Sequence, residues 1–215
     1  MAGRITGLES QRRRGGERVN VYVDGRFALS LDATIAAALR VDQEVDAATL
    51  ARLTTDDERQ RALNAACLFL SYRPRSTHEV ETRLRQRGFS PEAIAAARQR
   101  LDRWGLLDDD AFARYWVEQR QTFRPRGATA LRAELRARGV KAEVVAGVVP
   151  HGADESEAAY RAGRARLRGL SGLPAPAFRQ KLGGYLQRRG FNYAACAAAI
   201  DRLWSEVGAE TGADG

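Results

Sequence analysis

The residue type whose repetition could do chemistry in this chain is arginine. Arg73-Pro74-Arg75 and Arg124-Pro125-Arg126 bracket prolines, Arg83 and Arg87 stand one helical turn apart, as do Arg132 and Arg136, Arg138 precedes a glycine, and Arg188-Arg189 closes the series. A planar guanidinium makes forked hydrogen bonds to carboxylate or phosphate. The chemistry on offer is therefore recognition of an anionic partner. Only Lys141 and Lys181 are lysines among the 35 basic residues; a GC-rich coding sequence produces the same bias, so the placement of the arginines carries more weight than their type.

Residue types that make or break bonds are sparse. His78 and His151 lie more than a repeat apart with no companion ligands, which supports neither a catalytic triad nor a zinc site. Asp108-Asp109-Asp110 opens a helix, where N-capping and the helix dipole explain it better than a metal does. Cys67 and Cys196 sit in alanine-rich helical patterns and read as small core residues. Gly15-Gly16 and Gly183-Gly184 lack the strand and Lys-Ser/Thr context of a phosphate loop. The expectation is a protein with no enzymatic activity, no cofactor and no metal.

The elements that would position the arginines recur at one spacing. Gly88, Gly139 and Gly190 are 51 residues apart, and the same offset aligns Leu84, Leu135 and Leu186, then Pro74, Pro125 and Pro176, then Ile94, Val145 and Cys196. A proline interrupts the chain between a first and a second helix, a glycine ends the second, and a third helix returns. Ser76 with Glu79 reads as a capping box, Ser90-Pro91 as a cap with proline at the first helical position, and Thr55 with Glu58 as a capping box opening the first triplet. Such a unit has little core alone and is expected to stack on its neighbours, bringing equivalent arginines into a row.

The first fifty residues differ in kind. Arg18 to Val23 and Arg26 to Leu31 alternate polar and apolar residues around Asp24-Gly25, which spells a β-hairpin; Ile5 to Leu8 offers a third strand, and segments 33–41 and 45–53 are expected as short covering helices. The fold expected is mainly α, three tandem three-helix repeats in a curved array after a small hairpin-containing segment. The boundaries are 1–54 for that segment, 55–107, 108–153 and 154–208 for the repeats, and 209–215 for a disordered tail.

Net charge is +8, and residues 1–57 hold 8 basic against 9 acidic side chains, so the whole excess lies on the repeats. This favours an anionic partner, although Glu79, Glu81 and Glu134 could also balance a merely solvated surface. No run approaches the roughly 20 apolar residues of a membrane span, and the N-terminus has no apolar core of a secretion signal; a cytoplasmic monomer without membrane contact is expected.

Several stretches together resemble, in order and spacing, the RecX family of bacterial recombination regulators. They are Leu70-Ser71-Tyr72-Arg73-Pro74-Arg75-Ser76, Leu84-Arg85-Gln86-Arg87-Gly88-Phe89, Gly105-Leu106-Leu107-Asp108-Asp109 with Phe112-Ala113, Arg124-Pro125-Arg126-Gly127, and Arg188-Arg189-Gly190-Phe191. The resemblance covers about 58–207. It implies a regulator that binds the RecA recombinase, chiefly as its filament on single-stranded DNA, and lowers ATP hydrolysis, strand exchange and co-protease activity. The partner-binding set expected is Arg73, Arg75, Arg83, Arg87, Arg124, Arg126, Arg132, Arg136, Arg138, Arg188 and Arg189. The third repeat departs from the pattern, with Ala175 and Ala177 where the others have arginines and Gly183-Gly184 inside its second helix. An autonomous binder of single- or double-stranded DNA and a structural adaptor remain rival readings.

Overall fold

The computed structural model describes residues 3–13, 16–170 and 172–213. Two compact units divide the chain, Met1–Leu107 and Asp108–Gly215.

In the first unit, β1 (Gly3–Arg13), β2 (Gly16–Val23), β3 (Arg26–Asp32) and β4 (Glu44–Val45) form an antiparallel sheet in the order β3-β2-β1-β4. Asp24 and Gly25, at φ 49° and 74°, turn β2 into β3 as the hairpin pattern requires. The third strand expected at Ile5 to Leu8 is present and longer. A bulge between Val21 and Tyr22 moves Phe27 out of the Leu29 and Leu31 face and sets it edge-on to Tyr22, so it stays 58% exposed despite the alternating pattern.

Helix α1 (Ala33–Ala36) is shorter than the expected 33–41, and α2 (Ala47–Leu70) begins where a second short helix was expected and runs on through the repeat boundary. Asp46 caps α2, accepting the Thr49 amide at 2.7 Å. Thr55 and Glu58 are thus mid-helix and form no capping box. The Thr55 hydroxyl donates to Ala51 O, while Glu58 accepts the Ser90 amide (2.9 Å) and hydroxyl (2.8 Å). Helices α3 (Thr77–Gln86) and α4 (Pro91–Arg103) complete the first triplet, and Ser76 with Glu79 does form the expected capping box.

The sheet is fastened to this triplet by one buried carboxylate. Asp57, 6% exposed, accepts from Arg18 at 3.3 and 3.2 Å and from the Asp32 amide at 2.6 Å, with Arg61 Nε at 3.4 Å. Burying a carboxylate is costly unless its oxygens are occupied, and here backbone and guanidinium occupy them together.

The two hydrogen bonds from Ser90 hold the Glu58 carboxyl below the usual glutamate range. A carboxylate whose folded pKa is depressed adds stability that is complete above the unfolded value, about 4.3, and disappears as pH falls through the lower folded value. The thermal midpoint of Glu58→Gln should lie below that of the parent at pH 7, and the gap should narrow as the solution is acidified below the unfolded value. A gap unchanged across that range would show that Glu58 acts by packing alone.

In the second unit, α5 (Asp109–Phe123), α6 (Ala128–Arg136) and α7 (Ala142–Val148) form one triplet; α8 (Gly152–Arg164), α9 (Ala175–Arg188) and α10 (Tyr193–Ala213) form another, with a 3-10 turn at Leu167–Gly169. Asp108 caps α5 through the Ala111 amide at 2.8 Å, as its place in the acidic cluster suggested. Each second helix ends in the same way: Gly88, Gly139 and Gly190 take φ between 73° and 85°, and the next residue's amide returns to Leu84, Leu135 or Leu186. The proline column holds twice. Pro74 and Pro125 lie between helices, but Pro176 stands inside the first turn of α9 because Pro174 precedes that helix as its cap. Helix α10 runs to Ala213, through most of the segment expected as a tail; residues 214–215 lie outside the described residues.

Every triplet encloses its own core: around Leu63, Leu84 and Leu101 in the first, Phe112, Leu131 and Leu135 in the second, and Phe178, Leu182 and Leu186 in the third. The expectation that a unit has little core alone is corrected here, since the apolar faces of the three helices close on one another within each triplet. What joins the second and third triplets is polar. The Gly127 amide donates to Arg189 O (3.0 Å), the Thr129 amide to Gly190 O (3.1 Å), and a Cβ on Gly127 would run into the backbone of Gly190 and Phe191. Beside them Glu155, 2% exposed, accepts from the amides of Ala128 (3.0 Å) and Asn192 (3.2 Å) and from Asn192 Nδ2 (2.7 Å).

Candidate partner-binding surface

Two kinds of arginine occur among the residues that the spacing singled out, and the neighbours decide which is which. In the first triplet Arg73 is bound by both guanidinium nitrogens to Glu79 (3.3 and 3.0 Å), the carboxylate that also closes the α3 capping box. It braces the turn. Arg75 lies 4.0 Å over the Phe69 ring and Arg83 5.9 Å from the same ring, so these two converge on the end of α2. Arg87 and Arg61 both lie near Phe89, at 6.0 and 5.8 Å. Arg83 and Arg87 are exposed, one turn apart at the C-terminal end of α3.

In the second triplet Glu134 collects most of the charge. It accepts from Arg120 Nε and Trp116 Nε1, each at 2.8 Å, with Arg126 Nε at 3.8 Å, and its carbonyl accepts from Arg138. Arg138 and Arg120 lie over Trp116 at 3.6 and 4.5 Å. A cation over an indole contributes about 1 kcal/mol, so Arg120 and Arg138 tie α5 to α6. Arg124 and Arg136 point to solvent and Arg132 is half-buried. In the third triplet Arg188 is exposed, whereas Arg189 donates to Pro125 O (2.9 Å) and the Tyr185 hydroxyl (3.0 Å), within the joint to the second triplet.

The solvent-facing set is therefore Arg83, Arg87, Arg124, Arg136 and Arg188, with Arg132 half-buried; Arg73, Arg126, Arg138 and Arg189 are engaged internally, and Arg75 packs on Phe69. Glu79 and Glu134 do balance part of the charge, and Glu81 pairs with Arg85 and Arg98.

One column escaped the search for identical residues. Tyr72 and Phe123 are 51 apart, each directly ahead of its Arg-Pro-Arg, and are 75% and 74% exposed. A lone exposed aromatic needs no explanation, but two at equivalent positions beside arginines have the composition of interface anchors. Aligning by side-chain class would have shown them.

No catalytic arrangement emerges. Burial pushes the Cys67 and Cys196 thiols up, away from the reactive thiolate, and among the described residues no His, Cys, Asp and Glu group could hold a metal ion. No helix described is long and apolar enough to cross a membrane.

Family models for the RecX N-terminal domain and the first, second and third RecX three-helix domains match residues 3–46, 62–101, 108–148 and 153–200. The chain is similar to Regulatory protein RecX of Bacillus subtilis, 30% identical over 96% of this chain and 80% of that one, and of Amycolatopsis mediterranei, 34% identical over 72% and 90%. A crystal structure of regulatory protein RecX superposes with a TM-score of 0.73 at 23% identity, covering 93% of this chain and 99% of that one. That of RecX from Lactobacillus salivarius gives 0.63 at 21%, covering 69% and 97%. These structural likenesses bear on the fold, and with the sequence matches across all four domains they establish that the chain belongs to the RecX family of regulatory proteins.

Proposed function

We propose that the protein is a cytoplasmic, non-enzymatic regulator that docks as a monomer on the RecA recombinase filament on single-stranded DNA, limits its growth, and lowers its ATPase, strand-exchange and co-protease activities. Family membership supports a regulatory role. The observation that carries docking is the exposed aromatic, Tyr72 or Phe123, at the same place in the first two repeats, each of which also carries two solvent-facing arginines, Arg83 and Arg87 or Arg124 and Arg136. Aromatic rings supply contact area and the neighbouring guanidinium groups select an anionic surface, here recombinase carboxylates or DNA phosphates.

Recombinase ATPase on single-stranded DNA should fall when substoichiometric protein is added. Reversing Arg83, Arg87, Arg124 and Arg136 to Glu should abolish the effect, because like charges set against an acidic surface cost several kcal/mol. ATPase left unchanged by a protein that still binds the filament would overturn this reading. Tight, steeply salt-dependent binding to bare DNA without recombinase binding would favour an autonomous DNA-binding protein instead.

A further inference from the structure

The third repeat carries a charge arrangement that shares only Arg188 with the solvent-facing arginine set. From Ala158 to Ile200 the sequence holds eight basic residues and no aspartate or glutamate. Within that stretch a cavity of about 420 Å³ opens between the 3-10 turn Leu167–Gly169 and α9, lined by Arg166, Lys181, Arg188, Tyr185 and Gly184 among others and by no carboxylate. Lys181, Gly184, Tyr185 and Arg188 follow at i, i+3, i+4 and i+7, one face of α9.

Three cations on one cavity repel each other unless an anion lies among them. Among the described residues the ion pairs of this repeat run from Arg179 to Asp201 and from Arg202 to Glu157 and Glu206. None reaches Arg166, Lys181 or Arg188. The ring of Tyr185 makes a fixed wall, its hydroxyl held by Arg189 at 3.0 Å and its face 5.2 Å from the Arg166 guanidinium.

Gly184 belongs to the same device. A glycine inside a helix costs about 1 kcal/mol against alanine, and nothing in its backbone demands one, since its φ is not positive. A Cβ there would stand 3.3 Å from Arg188 Nη1. A side chain at 184 would therefore press the Arg188 guanidinium aside by a few tenths of an ångström.

We propose that this cavity is a binding site for the phosphate groups of a nucleotide-sized ligand, with Arg166, Lys181 and Arg188 as its charge partners and Tyr185 as its apolar wall. Its volume is that of a small-molecule pocket. Three converging cations suit a di- or triphosphate better than the single charge of a carboxylate, and arginine forks match phosphate oxygens. Arg166 and Lys181 lie outside the docking set, so the site can fail or hold without filament docking.

Isothermal titration calorimetry of the full chain with pyrophosphate, ATP and adenosine tests this. Pyrophosphate and ATP should bind at one per chain, adenosine should not, and Lys181→Gln and Arg188→Gln should each weaken binding about tenfold. Arg52→Gln, on the exposed side of α2, should change nothing. Gly184→Ala should raise the thermal midpoint while weakening binding, a combination that a purely structural glycine cannot produce. Full affinity in the Lys181→Gln, Arg188→Gln double variant overturns the proposal. So does binding of an oligothymidylate alone, with pyrophosphate and ATP inert, because the cations would then serve a polynucleotide backbone.

Discussion

Replacing Glu155 by alanine should destabilise the Asp108–Gly215 unit by about 2 kcal/mol, the cost of stranding one buried and two part-buried N–H groups. Those groups are the amides of Ala128 and Asn192 and the Asn192 side-chain amide, all on one carboxylate that is 2% exposed. Each belongs to the start of a helix, α6 or α10, so the loss is felt at two N-termini at once. Glu155→Gln should cost less, about 1 kcal/mol. It keeps one oxygen for the two backbone amides but sets its NH₂ against Asn192 Nδ2, and Asn192 cannot flip because its Oδ1 caps α10 through Ala195 at 2.8 Å. Urea unfolding followed by Trp116 and Trp204 fluorescence gives the magnitude, and hydrogen exchange at Ala128 and Asn192 locates it. A change under about 1 kcal/mol for the alanine variant, with protection intact, would mean that the joint does not depend on this side chain.

The second large effect is expected on binding. Removing both rings in Tyr72→Ala, Phe123→Ala should weaken binding to the recombinase filament about a thousandfold, since a well-buried aromatic anchor is worth roughly 2 kcal/mol or more and two are lost. Stability should barely move, because both rings are three-quarters exposed in the free protein and contribute little to any core. Co-sedimentation with the filament and a thermal melt separate the two. Unaltered affinity in the double variant would remove these rings, and with them the shared aromatic–arginine corner, from the docking surface. The single variants should share the loss about equally if both repeats engage, and unequally if one repeat dominates.

The recurring helix ends were legible in the order of the residues. A left-handed glycine after Leu84, Leu135 and Leu186, a serine or aspartate ahead of α3, α4 and α5, and a two-residue turn at Asp24-Gly25 are interactions between residues a few positions apart, so chain order alone specifies them. The same locality explains the misreading at Thr55 and Glu58. The Thr-x-x-Glu spacing is that of a capping box, but α2 had already begun at Asp46, and Glu58 is occupied by Ser90, 32 residues away. Phe27 likewise follows the strand alternation and leaves its face through a bulge that depends on the partner strand.

Which arginines are available to a partner was decided only in three dimensions. Arg73, Arg83, Arg126, Arg132 and Arg189 read alike as exposed cations on repeated motifs. Yet Arg126 faces Glu134 across a turn, and Arg189 reaches Pro125, 64 residues back, because two helix ends approach closely at a pair of glycines. Asp57 and Glu155 became buried hubs for the same reason. A short-range pattern specifies where a helix starts and stops, whereas the partner of a charge depends on which distant segment packing brings within about 3 Å, and no spacing along the chain records that.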